Sequence, residues 1–168
     1  MSTSPESQRV LAFDPSTRGF GYVVVESPQS LIEWGARRTR GEKNPLALKR
    51  VARLIESYGP DVIVIEDCVE KQCRRSPRVR RLAKDIIKSA RKKGIKVRSF
   101  SRRRVTAVLS QSGALTKRQI ATTIAEQFPE LSPQLPPVRK PWKTEDYRMA
   151  LFDAMALALT FFSESQSV

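Results

Sequence analysis

The sequence predicts an α/β fold, a sheet that opens as an antiparallel meander of three strands and continues as alternating helix and strand. Two observations predict it. RVLAFD, GFGYVVVE and LIEWGARR are successive β-branched and aromatic runs, with turn chemistry at Gly19, Gly21 and the Ser27 to Ser30 segment. Beyond them, apolar residues at helical spacing and short continuous apolar runs take turns along the chain.

Each later element has its own signal. Leu46, Leu48, Val51, Leu54 and Ile55 space out an amphipathic helix from about Pro45 to Tyr58, closed by Gly59-Pro60. DVIVIE is continuous and β-branched, the pattern of a buried strand. A helix over about Pro77 to Lys93 leads through Gly94 into the strand IKVRSF, and SRRRVTAVL reads as a short helix. Thr116 with Gln119 makes a capping box for TKRQIATTIAEQF, and the proline-rich PELSPQLPPVRKPW is expected to be a loop. The last helix is placed at about Thr144 to Ser163, with a frayed serine-rich tail. With no internal repeat or domain boundary, residues 1–168 are expected to form a single domain with flexible tails at 1–8 and 164–168.

Composition removes several classes of chemistry. There is no histidine, which excludes Ser-His-Asp hydrolysis, histidine-base nucleases and histidine-ligated zinc. Cys68 and Cys73 alone make neither a disulfide framework nor a four-ligand zinc site, so reduced thiols are expected. MSTSPESQ lacks the apolar core of a signal peptide, and no run approaches the roughly 20 apolar residues of a membrane span. The expectation is a soluble, cytoplasmic protein with no membrane partner.

The formal net charge of +14 is concentrated in one segment. Residues 71–104 hold 16 lysines and arginines against the single acid Asp85, while the remainder is close to neutral. Solvated helix faces usually interleave both signs, so a run of one sign predicts a polyanionic partner, nucleic acid. Arg74, Arg75, Arg78, Arg80 and Arg81, then Arg102, Arg103 and Arg104, offer planar forks suited to phosphate oxygens. No aromatic residue lies between Tyr58 and Phe100, which favours duplex or branched nucleic acid over a bare single strand.

Against this background three acids stand out. Asp14 ends RVLAFD, Glu66 ends DVIVIE, and Asp153 interrupts ALFDAMALALTFF. An ionised carboxylate in an apolar element is costly unless it is paired, hydrogen-bonded or bound to metal, and a metal cluster accounts for all three. Adjacent strand residues face opposite sides, so only one of Glu66 and Asp67 can join it; Glu66 follows its strand core as Asp14 does. Asp14 capping the Pro15-Ser16 turn, and Glu66 pairing with an arginine, are the structural alternatives. Ser16, Thr17 and Arg18 either bind phosphate or form the turn, while Gly19 and Gly21 read as turn and bulge residues. Trp34 and Trp142 read as core or loop anchors more readily than as base-stacking platforms, with Trp142 set in a basic proline loop, RKPWK.

LAFDPSTRGFGYVVV resembles the first strand and hairpin of RuvC-type Holliday junction resolvases. GPDVIVIED is similar to the Gln-Pro-Asp-strand-Glu segment of that family, SRRRVTAVLSQSGALTKRQI to its Arg-x-Val to Lys-x-Gln-Val stretch, and FDAMALALT to its last helix. The resemblance implies an RNase H-like mixed sheet, three antiparallel strands then parallel ones, flanked by helices. It implies Asp14, Glu66 and Asp153 as ligands of Mg2+, with Mn2+ as a substitute and two ions per site. It also implies Lys117 as a contact to DNA, four-way junctions as substrate, and a homodimer.

The chain departs from that pattern at four places. Ala150 stands where the family has a fourth acidic or histidine ligand, one turn before Asp153; Asp146 and Glu145 are the candidates to replace it. Val69 occupies the place of an aromatic residue, Thr106 that of a lysine, and the connecting helix is richer in arginine. The expected activity is a metal-dependent endonuclease acting on four-way DNA junctions. A related nuclease on RNA or other branched DNA, and a junction-binding protein with an impaired site, are the alternatives.

Overall fold

The structure, a computed structural model, describes residues 7–69, 73–113 and 116–167. Strands β1 (Val10–Pro15), β2 (Gly19–Ser27) and β3 (Ser30–Arg38) form the antiparallel meander that their sequences predict. β4 (Val62–Glu66) and β5 (Lys96–Phe100) join the free side of β1 in parallel, giving the order β3-β2-β1-β4-β5. The expected mixed sheet is present.

The period of two in each strand sorts the core into two layers. Leu11, Phe13, Ile63 and Ile65 face α1 (Lys43–Tyr58) and α2 (Pro77–Lys92). Val10, Ala12, Val62 and Val64 face α3 (Arg102–Leu109), α4 (Lys117–Gln127) and α5 (Met149–Gln166). α5 is apolar almost all round because it lies against the sheet with other helices beside it. Local signals set most helix ends: Gly59 closes α1 at φ +52, Ser76 and Ser101 cap α2 and α3, and Thr116 and Gln119 form the predicted capping box.

Some boundaries differ from the sequence reading. α5 starts at Met149, not Thr144, because the Asp146 carboxylate accepts from the Arg148 N–H at 2.9 Å and from its guanidinium, which stabilises a turn instead of a helix. It also runs through Gln166, beyond Ser163. Part of the proline-rich stretch is 3-10 helix, Pro129–Gln134, anchored by buried Leu131. Gly21 is not a bulge: it pairs in register, and the irregularities of β2 lie between Val24 and Ser27. Trp34 packs against the core, whereas Trp142 is 77% exposed. Cys68 and Cys73 are free, and burial with a hydrogen bond to Cys73 pushes the Cys68 thiol up to about 12. Among the described residues no helix is long and apolar enough to cross a membrane. The expected N-terminal tail falls mainly on residues 1–6, which lie outside the described residues, as does Lys71 of the basic segment.

Candidate active site

Strand alternation places Asp14 and Glu66 on the face that carries Val10, Ala12, Val62 and Val64. That face is the one covered by α5. Asp67 takes the other direction, where its Oδ1 accepts from the Val69 N–H at 2.9 Å in a local turn. Directly across the β1–β2 ladder from Asp14 is Gly21, and this pairing explains how α5 reaches the site. A Cβ on Gly21 would stand 2.1 Å from the carbonyl carbon of Ala150 and 2.2 Å from the nitrogen of Leu151. The first turn of α5 therefore rests on bare backbone, and Asp153, one turn further on, meets Asp14 and Glu66. The three carboxylates line one pocket with Arg75 and Arg102.

Cations hold this cluster together. Arg75 Nε donates to Glu66 Oε2 at 2.6 Å, its Nη2 to Asp14 Oδ1 at 2.9 Å and its Nη1 to the Pro15 carbonyl at 3.1 Å. Arg102 Nη1 reaches Asp153 Oδ1 at 3.2 Å, and Lys117 Nζ lies 2.9 Å from Asp153 Oδ2 while also binding Glu145. Both cations are placed by caps, since Arg102 and Lys117 open α3 and α4 immediately after Ser101 and Thr116. Asp14 is 1% exposed, and its Oδ2 has no hydrogen-bond partner. Burial raises the Asp14 carboxyl to about 7; Arg75 opposes the shift, and the negative charges of Asp153 and Glu66 add to it.

The donor set suits a hard divalent cation. It consists of carboxylate oxygens, and the unpartnered buried Oδ2 of Asp14 is the kind of atom a metal would satisfy. The present arrangement is closed around guanidinium: among the described residues no three acidic or cysteine side chains are grouped closely enough to hold an ion, and the pocket is about 10 Å³, water-sized. Arg75 occupies the Glu66 Oε2 and Asp14 Oδ1 that a metal at this place would use.

Asp146 and Glu145, the candidates to make up for Ala150, are not brought into the cluster. With α5 starting at Met149, Asp146 lies in the preceding turn rather than on the helical face of Asp153, and its carboxylate is engaged by Arg148. Hydrogen bonds from Arg148 hold the Asp146 carboxyl below its usual value. Glu145 reaches the site only through Lys117. Both acids instead border a groove of about 350 Å³ that Ser16, Thr17, Arg18, Arg75, Lys117 and Arg139 also line.

The predicted phosphate-binding arginines divide into two groups. Arg78 binds the Ser16 carbonyl and Asn44 at 2.9 Å each, Arg80 binds the carbonyls of Arg75 and Cys73, and Arg104 pairs with Glu164. With Arg75 and Arg102, these guanidiniums are engaged by the protein itself. Arg74, Arg81 and Arg103 are exposed, with no ion pair among the described residues. The pairing of Glu66 with an arginine, the structural alternative from sequence, is present through Arg75; the sequence reading missed that the same arginine also holds Asp14, the close approach at Gly21, and Arg139 beside the groove. An arginine flanking a strand-end glutamate was the available signal for the first; neither of the others has a local one.

No protein-family model and no curated protein sequence matches the chain. Its three-dimensional arrangement does match solved structures. Thermus thermophilus RuvC superposes with a TM-score of 0.68 at 18% identity, covering 95% of this chain and 96% of that one. T. thermophilus RuvC in complex with Holliday junction substrate gives 0.67 at 16% identity over the same shares. The yeast mitochondrial Holliday junction resolvase gives 0.60 at 15% identity, covering 96% of this chain and 80% of that one. The superposition spans nearly the whole chain with its mixed five-stranded sheet, so the chain has the RNase H-like fold of RuvC.

Proposed function

We propose that this protein is a divalent-metal-dependent, structure-selective endodeoxyribonuclease that hydrolyses phosphodiester bonds at four-way DNA junctions as a homodimer. The observation that carries the reading is the convergence of Asp14, Glu66 and Asp153 from β1, β4 and α5 in one pocket beside exposed arginines. Those three residues would hold Mg2+ or Mn2+, two ions being the number the resemblance implies. Bound there, the metal would supply Lewis-acid polarisation of the phosphate and a water acidified for attack. Arg75 and Lys117, once released from the carboxylates, are within reach of the same pocket and suited to phosphate oxygens. Arg74, Arg81 and Arg103 position the DNA backbone without reading sequence. Two-fold symmetry would present paired sites to opposing strands.

The test is strand cleavage of a labelled synthetic four-way junction against matched duplex and fork, with Mg2+, Mn2+ or EDTA, for wild type and Asp14→Asn. Paired, junction-selective nicks that need metal and vanish in the variant are expected. One observation favours a second reading, a junction-binding protein without turnover: Arg75 spans Asp14 and Glu66. Tight binding with no cleavage in any metal would select it, and cleavage of RNA or forks instead would select a different substrate.

A further inference from the structure

We infer that Trp142 is a stacking platform for a nucleobase exposed at the branch point of the bound nucleic acid. The inference rests on the nucleic-acid reading above and adds a specificity-determining residue to it. Trp142 is 77% exposed, although an indole is among the most favourable side chains to bury. Its position is nonetheless built. The turn that carries it is closed by a hydrogen bond from the Lys143 N–H to the Lys140 carbonyl at 3.0 Å, and Arg139 Nη1 donates to the Lys143 carbonyl at 2.9 Å. Lys140 Nζ stands 5.5 Å from the centre of the indole ring.

Two features select the occupant. Lys140 stands over the ring, and Arg139 and Lys143 belong to the same turn, so an apolar protein surface covering it would have to desolvate Lys140 at least. A nucleotide offers phosphate to those cations and a π face to the ring. Second, Arg139 and Thr144, on either side of Trp142 in the chain, line the groove that also contains Arg75 and Lys117. Those two cations touch Asp14, Glu66 and Asp153, so the groove, which Glu145 and Asp146 also border, joins the turn to the carboxylate pocket. A base in a continuous duplex has both faces covered by its neighbours, whereas strands that diverge at a branch leave faces open. The occupant is therefore a base at the branch.

The experiment uses the full chain in EDTA, so that no strand is cut, and a four-way junction carrying 2-aminopurine next to the crossover. Wild type, Trp142→Phe and Trp142→Ala are compared for affinity, 2-aminopurine emission and the salt dependence of binding. Wild type should alter 2-aminopurine emission, Trp142→Ala should abolish that change and weaken binding about tenfold, and Trp142→Phe should restore most of both. The salt slope should stay the same in all three, because the ring contributes no charge. Trp142→Ala binding the junction like wild type, with the same 2-aminopurine response, overturns the inference and leaves the nuclease reading intact. Weaker self-association of the DNA-free Trp142→Ala protein would mean that a second copy covers the ring, which also overturns it. Wild type failing to bind any nucleic acid would remove both.

Discussion

At the scale of single residues, the site is governed by a competition between burial and counter-charge at Asp14. Burial raises its carboxyl to about 7 even with Arg75 alongside. The folded protein then keeps a proton that the unfolded chain has released over the range from about pH 4 to about pH 7. Stability conferred by that proton is full below this window and is lost as pH rises through it. In EDTA, wild type should therefore lose melting temperature relative to Asp14→Asn between about pH 4.5 and about pH 7.5; parallel melting curves across that range would refute the assignment. Arg75→Gln gives the complementary test. Without metal it should destabilise the protein at pH 7.5, by up to about 3 kcal/mol, since removing one partner leaves buried charge uncompensated. Mg2+ should then stabilise the variant more than wild type in thermal melts, because no guanidinium has to be displaced. The three acids were legible because carboxylates closing apolar runs are costly in sequence terms alone. An arginine partner for Glu66 was legible, but the hold of Arg75 on Asp14 and Pro15 was not, because they are remote in the chain and composition cannot separate an arginine that meets phosphate from one that meets carboxylate.

At the scale of elements, the docking of α5 on β2 decides whether there is a site. Gly21→Ala would place a methyl group 2.1 Å from the backbone of Ala150, and backbone gives way far less readily than the end of a side chain. The variant is expected to lose about 1–3 kcal/mol of stability, and to lose activity disproportionately because Asp153 moves with the helix. A denaturant midpoint and a cleavage rate measured together check this, and normal cleavage in a destabilised variant would contradict it. Thr116→Ala should cost about 1 kcal/mol through the capping box, and it should weaken the Lys117–Asp153 pair that the cap positions. The strands, the capping box and the Gly59 stop were readable because each rests on neighbours in sequence. The start of α5 was not, since the Asp146–Arg148 turn competes with helix, and Gly21 was misread because its requirement comes from a helix distant in the chain.

At the scale of the whole molecule, the basic segment has two roles that its composition merges. Arg75, Arg78, Arg80, Arg102 and Arg104 bind carbonyls or carboxylates of the fold, while Arg74, Arg81 and Arg103 remain open to solvent. Junction affinity should fall steeply with salt, yet the slope should be shallower than the 16 cations of residues 71–104 would give if all met phosphate. Arg81→Ala should reduce the slope by about one and leave stability unchanged, whereas Arg80→Ala should lower stability and leave the slope nearly alone. Titrations across a range of salt with matched melting curves measure both. A slope unmoved by Arg81→Ala would remove that residue from the DNA contact.

The resting of α5 on Gly21 also bears on the order in which the protein is made. Asp14 and Glu66 leave the ribosome with strands of the sheet and Asp153 only with α5, so the sheet can assemble before the third carboxylate arrives. Vectorial synthesis thus delays the assembled cluster until α5 has docked. If the cluster binds metal as proposed, a lanthanide probe that luminesces only when Asp14, Glu66 and Asp153 share it would light up no earlier than docking, after the strand signals of the sheet have already appeared.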